Sequence, residues 1–197
     1  MTLDLLLALS TFAAVTLFTP GPNNVMLMTS GANFGLPRTL PHLFGVAIGF
    51  PVMIVPVGLG AMRLFDIWPP AHTVLKVVAV VYMLYLAWKL TKATAPGEGK
   101  VGGRPLTFLQ AAAFQWVNPK GWSMALGAIT LYAASRDLPA VLWVSGVFLV
   151  IGTASAFCWV LLGREVRRWL TNARRLRVFN WTMAGLLVAS LGMALFL

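Results

Sequence analysis

The chain has 197 residues, of which 59% are hydrophobic and only 10% are charged, and its mean hydropathy is +0.82. A soluble domain is only about half apolar, so this composition excludes a water-soluble globular protein. The formal net charge is +10, but most of the cations lie between apolar runs rather than in a patch exposed to water. We therefore predict an integral membrane protein and no nucleic-acid partner.

Six apolar runs follow one another along the chain, each long enough for the roughly 20 residues of a spanning helix. They cover about residues 3–30, 42–62, 71–90, 106–132, 138–163 and 178–197. The first run contains Asp4, no Lys or Arg, and no small-residue cleavage site, so we expect a retained helix and not a signal peptide. Between the runs we predict a loop at 31–41, a short turn at 63–70 and a basic loop at 164–177.

The first run is interrupted by the stretch Thr19-Pro20-Gly21-Pro22-Asn23-Asn24. Proline lacks a backbone N–H, and its ring clashes with the carbonyl four residues earlier. The two prolines are therefore expected to free the carbonyls of Thr16 and Phe18. In hydrocarbon, such a break persists only where it is buried in protein or lines a wet cavity, so the stretch predicts a binding site.

The fourth run contains a second break, at Gln115-Trp116-Val117-Asn118-Pro119-Lys120-Gly121, and Pro119 follows Pro20 by 99 residues, about half the chain. Each proline lies in the first helix of a group of three, and a duplicated group of three spans inserts with opposite orientation. We therefore predict an all-α polytopic protein whose six transmembrane helices form a 3+3 inverted-topology repeat, with helices 1 and 4 broken. The single domain, 1–197, would comprise repeats at about 1–91 and 106–197 and a cytoplasmic linker at about 92–105.

The loop cations alternate in number along the chain. The loops after runs two and four hold only Arg63 and Arg136, whereas those after runs one, three and five hold eleven cations: Arg38, then Lys89, Lys92, Lys100 and Arg104, then Arg164, Arg167, Arg168, Arg174, Arg175 and Arg177. The positive-inside rule places the rich loops in the cytoplasm and both termini in the periplasm. Five arginines of the last loop could also attract anionic lipid: Arg164, Arg167, Arg168, Arg174 and Arg175.

Small residues at helical spacing predict two close-packing faces, Gly45-xxx-Gly49 and Gly152-xxx-Ala156. Such spacing lets a second helix approach closely in lipid. These faces serve helix packing within the chain, and they also permit a homodimer.

The five acidic residues lie in loops or at helix ends, and both histidines, His42 and His72, lie near helix starts. A metal site needs converging His, Cys or carboxylate ligands, and a hydrolase needs buried acids and bases. The sequence therefore predicts no enzyme, no metal and no cofactor.

Lys120 is the one cation deep inside an apolar run, and an embedded charge indicates a functional site. It could hold a substrate carboxylate, take part in proton coupling as a neutral lysine, or cap the carbonyls freed at the second break. The ends of half-helices supply both N–H donors and carbonyl acceptors, which suits a zwitterion such as a small amino acid. The predicted substrate-binding residues are Pro20, Gly21, Pro22, Asn23, Asn24, Gln115, Asn118, Pro119 and Lys120.

With these motifs, the chain resembles the LysE/RhtB superfamily of bacterial amino-acid exporters. The resemblance covers nearly the whole chain, and its marks are the stretch Thr19–Asn24, Gly31 and Gly35, Gly45 and Gly49, the sequence YMLYLAWK from Tyr82 to Lys89, and Asn118-Pro119-Lys120. It implies six helices in inverted repeats, an inner-membrane location, and efflux of amino acids or their derivatives driven by the proton motive force.

Phe50 departs from the family pattern, because many members carry an aspartate just after the second glycine of the Gly-xxx-Gly motif. Without an acid to pair a side-chain ammonium, a neutral or thiol-bearing amino acid is favoured over lysine or arginine. The phrases Leu86–Lys89 and Phe114–Asn118 are similar to members described as cysteine and O-acetylserine exporters.

We therefore expect a secondary-active exporter in which the two breaks face each other across the substrate. The alternative is a non-transporting membrane scaffold or a small channel. A scaffold would show no saturable flux, and a channel would show flux that is not coupled to a proton gradient.

Overall fold

The structure is a computed structural model that describes residues 2–61, 63–92 and 103–195. The regular structure of these residues is entirely helical, which confirms the all-α prediction. The helices are α1 (Leu3–Phe18), α2 (Pro22–Pro56) followed by a π-helical stretch (Val57–Ala61), α3 (Arg63–Ile67), α4 (Pro70–Thr91), α5 (Phe108–Gln115), α6 (Pro119–Tyr132), α7 (Leu138–Arg167) and α8 (Ala173–Leu195).

Among the described residues, three helical segments are long and apolar enough to cross a membrane, judged by length and composition: Pro22–Ala61, Pro70–Thr91 and Leu138–Arg167. The apolar helix α1 is shorter, with 16 residues. These segments agree with the prediction of a multi-pass membrane protein, since about 20 apolar residues span the hydrocarbon core.

Both predicted helix breaks are present, and they are built alike. α1 ends at Phe18, and α2 begins at Pro22 after a fully extended Gly21. α5 begins with a capping box between Thr107 and Gln110 and ends at Gln115, and α6 begins at Pro119. In each case a proline opens the second helix, at a position whose N–H would have no helical partner anyway.

The predicted loop at 31–41 is wrong, because these residues are helical apart from a kink at Gly35. Gly35 has φ 74° and ψ 172°, a conformation that glycine adopts far more readily than other residues. Pro37 then falls in the first turn of the next helical stretch, where proline costs no hydrogen bond. Thr39 Oγ1 donates to the carbonyl of Gly35 (2.8 Å), which ties the kink to the helical stretch that follows it.

Two other predicted connections are shorter than expected. The predicted turn at 63–70 contains the short helix α3, and the basic segment 164–177 is helical at both ends because α7 extends to Arg167 and α8 starts at Ala173. Arginine is a good helix former, so a cluster of arginines need not end a helix. Most of the predicted linker at 92–105 lies outside the described residues.

Helices α2 and α7 form the centre of the bundle and cross very closely. A Cβ atom on Gly31 would lie 3.0 Å from the Val160 carbonyl carbon, and one on Gly163 would lie 2.8 Å from that of Met28. The predicted close-packing face at Gly45-xxx-Gly49 is confirmed, since a Cβ on Gly49 would lie 2.6 Å from Ala112 Cα in α5. The bundle is therefore held by backbone contacts that only glycine permits at these positions.

The remaining helices surround this pair. α1 packs on α7, and α4 packs on α8. A buried pair of asparagines ties α2 to α8, with Asn33 Nδ2 donating to Asn180 Oδ1 (2.8 Å) and Asn180 Nδ2 donating back to Asn33 Oδ1 (3.1 Å). These contacts attach the outer helices to the central pair.

Candidate functional site

The two helix breaks lie side by side, and a pair of amides joins them. Asn23 Nδ2 donates to Gln115 Oε1 (2.8 Å), and Gln115 Nε2 donates back to Asn23 Oδ1 (3.1 Å). Gln115 is fully buried and also donates to the carbonyl of Ala111 (2.9 Å). Because Asn23 belongs to the first turn of α2 and Gln115 ends α5, this reciprocal pair fixes one break against the other.

Lys120 makes a second link between the breaks. It lies in the first turn of α6, and its Nζ donates to the carbonyl of Thr19 (2.6 Å), with the Pro20 carbonyl at 3.5 Å. The predicted capping of freed carbonyls is thus seen, but at the first break and not at the second, because the end of α1 lies beside the start of α6. An ammonium has three donors, so Lys120 keeps capacity for a bound carboxylate.

Gly21 leaves space for the Lys120 side chain, which passes close to it. A Cβ atom on residue 21 would lie 2.7 Å from Lys120 Cδ and 3.1 Å from Nζ. A Cβ on the nearby Gly121 would meet nothing closer than 3.5 Å. Gly21 of the first break therefore leaves the space through which the side chain of Lys120, from the second break, reaches the Thr19 carbonyl.

Asn24 closes the first break. Its Nδ2 donates to the carbonyls of Leu17 (2.9 Å) and Thr19 (2.8 Å), and Ser155 Oγ from α7 also donates to Leu17 (2.9 Å). The carbonyls that receive these side-chain bonds are those of Leu17 and Thr19, and the release of the Thr16 and Phe18 carbonyls by the two prolines stays a prediction. The helix ends with an extended Thr19.

Asn118 differs from the other predicted amides because its acceptor is unused. It is the N-cap residue of α6, but its side chain makes no capping bond. It is 3% exposed, and its Oδ1 has no hydrogen-bond partner among the described residues. Buried polar atoms are normally paired, so this oxygen is available as an acceptor for a ligand.

A cavity of about 40 Å³ lies between the breaks, which is room for a few water molecules. Six of the nine predicted residues line it: Gly21, Pro22, Asn23, Asn24, Asn118 and Lys120. The other three predicted residues do not line the cavity but contact residues near it. Gln115 is hydrogen-bonded to Asn23, the Pro20 carbonyl lies near Lys120, and the Pro119 carbonyl accepts from Ser123 (3.2 Å). An amino acid is larger than this space, so the walls must move to admit one.

The sequence analysis missed the contribution of α7 to this cavity. Phe148, Gly152, Ser155 and Ala156 all line it. The Gly152-xxx-Ala156 spacing predicted only that this face packs against another helix. Gly152 does face α1, since a Cβ atom on residue 152 would lie at an ordinary contact distance, 3.8 Å, from Leu17 Cδ1. Ser155, one residue before Ala156, gave no separate signal.

Phe50 forms part of the apolar wall of the cavity. It occupies the position at which many members of the family are expected to carry an aspartate. Its side chain is 4% exposed and packs edge-on against Phe148, with ring centroids 5.4 Å apart. The cavity therefore pairs one ammonium and several amides with an aromatic wall, and its lining includes no carboxylate. Across the described part of the chain, His, Cys, Asp and Glu do not gather in threes as a metal site would require.

Paired helix breaks that meet around polar groups inside an apolar bundle are the construction of a membrane transporter. The family model for the LysE type translocator matches residues 14–197. The chain belongs to the LysE type translocator family, which confirms the predictions of a transporter and not an enzyme.

Three relatives show how far the similarity extends, and each is named cysteine/O-acetylserine efflux protein. The protein of Klebsiella pneumoniae subsp. pneumoniae is 30% identical over 191 residues, which is 95% of each chain. Those of Salmonella paratyphi A and Escherichia coli K12 are 32% and 30% identical over 171 residues, 85% of this chain and 87% of theirs. No solved structure matches the chain.

Proposed function

We propose that this protein exports a neutral or thiol-bearing amino acid of the cysteine and O-acetylserine class. The observation that carries the proposal is the cavity between the breaks, where the Lys120 ammonium and the unpaired Asn118 Oδ1 line the same space. Together they offer a partner for a carboxylate and an acceptor for an ammonium, which are the two charged groups of an amino acid. The names of the relatives support the same substrate class.

The apolar wall supports selection for a neutral side chain. A cationic side chain would enter a space lined by Phe50, Phe148 and Met124 and would find no carboxylate there. Burying an unpaired charge is strongly unfavourable. Cysteine and O-acetylserine carry no net side-chain charge at neutral pH, so they fit this lining, whereas lysine and arginine do not.

The contacts between helices support a 3+3 inverted repeat of six spans, in which α1 with the first part of α2 corresponds to α5 with α6. In such a repeat, the symmetry axis relates α1 to α5 and the later part of α2 to α7. The α1–α7 contact is then the counterpart of the α2–α5 contact, and α4 and α8 pair with each other. In this mechanism the two halves rock about the cavity and expose it to each side in turn.

The distribution of cations supports an inner-membrane orientation with both termini in the periplasm. α4 ends near Lys89 and Lys92, and the basic end of α7 continues into the basic start of α8. Arg168 is 75% exposed at its side chain and pairs with Glu165 (2.8 Å). The exposed arginines near this connection are suited to anionic headgroups, and the protein could also form a homodimer.

Coupling to protons is the remaining part of the proposal, and the experiment is export from proteoliposomes. Purified protein is reconstituted, loaded with O-acetylserine or cysteine, and subjected to an imposed proton gradient. We expect saturable efflux that the proton gradient accelerates, and we expect an uncoupler to abolish this acceleration. Flux that ignores the gradient would indicate a channel, and no saturable flux of any amino acid would indicate a scaffold.

Lys120→Met is the informative variant in this assay, with Lys76→Met in α4 as the matched control. Charge-assisted hydrogen bonds contribute about 1.5–3 kcal/mol, so removal of the ammonium should lower the efflux efficiency by about tenfold to a hundredfold. The control should stay near wild type. Equal efflux by Lys120→Met and wild type would remove Lys120 from the substrate site.

A further inference from the structure

A second cavity, also of about 40 Å³, lies between α2, α4 and the segment that leads into α5. Its polar lining consists of Thr29, Ser30 and His42 from α2, Lys89 from α4, and Arg104 from the segment before α5. None of the nine residues predicted to bind substrate belongs to it. The cavity is therefore separate from the site between the breaks.

His42 is the unusual residue of this cavity. It is 2% exposed, and neither Nδ1 nor Nε2 has a hydrogen-bond partner within the described ranges. A neutral imidazole carries one N–H donor and one acceptor, and buried groups of this kind are normally paired. An imidazole that lines a cavity with both nitrogens unpaired is placed to bind a ligand there.

The charges around His42 indicate the sign of that ligand. Lys89 and Arg104 line the same cavity, and its described lining contains no acidic side chain. Glu98 lies outside the described residues. Two cations and an N–H donor together favour a small anion, and a carboxylate matches the planar geometry of a guanidinium.

The second cavity lies one helical turn from the first. Met26 lines the second cavity while its neighbour Leu27 lines the first, and His42 lines the second while Val46 lines the first. Met26 and Leu27 are both buried. The two cavities are therefore separated by α2 residues that line one or the other, and one of these, Met26, has an especially adaptable side chain.

We infer that the second cavity is a loading subsite, in which His42, Lys89 and Arg104 hold the carboxylate of the amino acid before it moves to the cavity between the breaks. The inference rests on the proposed export function. Under the proposed orientation, Lys89 and Arg104 face the cytoplasm, which is the side from which an exported amino acid must come. The subsite would raise the local concentration of substrate at the inner end of the pathway.

The test measures O-acetylserine export as a function of its concentration on the side of the basic loops. His42→Leu removes both ring nitrogens at similar volume, and Lys89→Met removes the cation. The loss of one hydrogen bond to a charged ligand should raise KM by about tenfold, while the maximal rate stays within about twofold of wild type because the central site is unchanged. His42→Gln, which retains a donor, should recover part of the affinity and also serves if His42→Leu does not fold.

His72→Leu and Lys76→Met are the matched controls, since both residues lie on α4 outside the cavity. A second arm compares inhibition of export by cysteine and by cysteamine, which lacks the carboxylate. Wild type should prefer cysteine clearly, and His42→Leu should lose the part of that preference that the loading subsite contributes, while Lys120 retains the rest. Vesicles of phosphatidylcholine alone, compared with vesicles that also contain phosphatidylglycerol, distinguish a bound carboxylate from a lipid phosphate.

Wild-type export with an unchanged KM in His42→Leu, His42→Gln and Lys89→Met would overturn the loading subsite and leave the proposed function intact. A KM change confined to anionic vesicles would assign the cavity to lipid headgroups and also overturn it. If wild type shows no saturable export, the proposed function fails and the loading role fails with it. Equilibrium binding of O-acetylserine to solubilised protein then tests the carboxylate site independently of export. If binding at this site is not weakened by His42→Leu, the carboxylate site is also contradicted.

Discussion

At the first break, two carbonyls at the end of α1 accept hydrogen bonds from side chains of three helices. At the second break, in contrast, a buried amide oxygen has no partner among the described residues. Asn24, Ser155 and Lys120 donate to Leu17 and Thr19. Asn118 Oδ1 accepts nothing from the described residues. The comparison teaches that two breaks of similar local sequence have different roles, because the first is a closed part of the scaffold and the second presents binding groups.

Among the variants that compare the two breaks, Asn24→Ala should have the largest effect, and the property that it changes should be the stability of the fold. It removes two of the hydrogen bonds that close the first break, one to the Leu17 carbonyl and one to the Thr19 carbonyl, and each hydrogen bond contributes about 0.5–1.5 kcal/mol. Because Ser155 and Lys120 still bond these two carbonyls, we expect a loss of about 1–3 kcal/mol in stability, seen as a lower thermal midpoint and less monodisperse protein in detergent. If Asn24→Ala were as stable as wild type, the first break would not depend on these bonds.

Asn118→Ala should have the opposite profile. It removes an amide whose oxygen is unpaired and which makes no capping bond, so the thermal midpoint should stay the same or rise slightly. Export should show a KM about tenfold higher, the equivalent of one hydrogen bond to a charged ligand. A large drop in stability without a change in KM would reverse the roles assigned to the two breaks.

Gly21→Ala should have a smaller effect, on the position of Lys120. The new Cβ would lie 2.7 Å from Lys120 Cδ, but a lysine chain is flexible, so we expect a loss of efflux of about threefold, equivalent to roughly 0.7 kcal/mol. Gly146→Ala is the control, since nothing lies within 4 Å of its Cβ and it does not line the cavity. In the double variant with Lys120→Ala, which removes Cδ and Nζ, the effect of Gly21→Ala should disappear, and full additivity would contradict the contact.

The breaks could be predicted from sequence because proline and glycine act locally. Pro20, Pro22 and Pro119 lie at or next to helix ends, where the missing N–H of proline is tolerated. The same rule failed at residues 31–41, because Pro37 follows a kink at Gly35 and falls in the first turn of a helical stretch. Proline alone does not reveal whether a helix has ended or has just begun.

Contacts distant in sequence could not be predicted in the same way. Lys120 was singled out as an embedded charge, but its partner Thr19 lies 101 residues away. The pairing of Asn33 with Asn180 depends on how α2 meets α8, and the bond from Ser155 to Leu17 depends on how α7 meets α1. His42 stood near a helix start in the sequence, and only the packing of α4 against this region shows that it is buried beside Lys89.

The claim that substrate binds between the breaks is tested most directly by protection of an introduced thiol. Cys158, the only cysteine of the chain, is replaced by Ser, and Gly121→Cys places a thiol on the cavity wall at ordinary contact distances. We predict that O-acetylserine slows maleimide labelling of this thiol, with half-protection near the KM of export, and that Asn118→Ala shifts the protection to about tenfold higher concentration. Labelling that proceeds at the same rate with and without O-acetylserine, in protein that still exports it, would contradict the account.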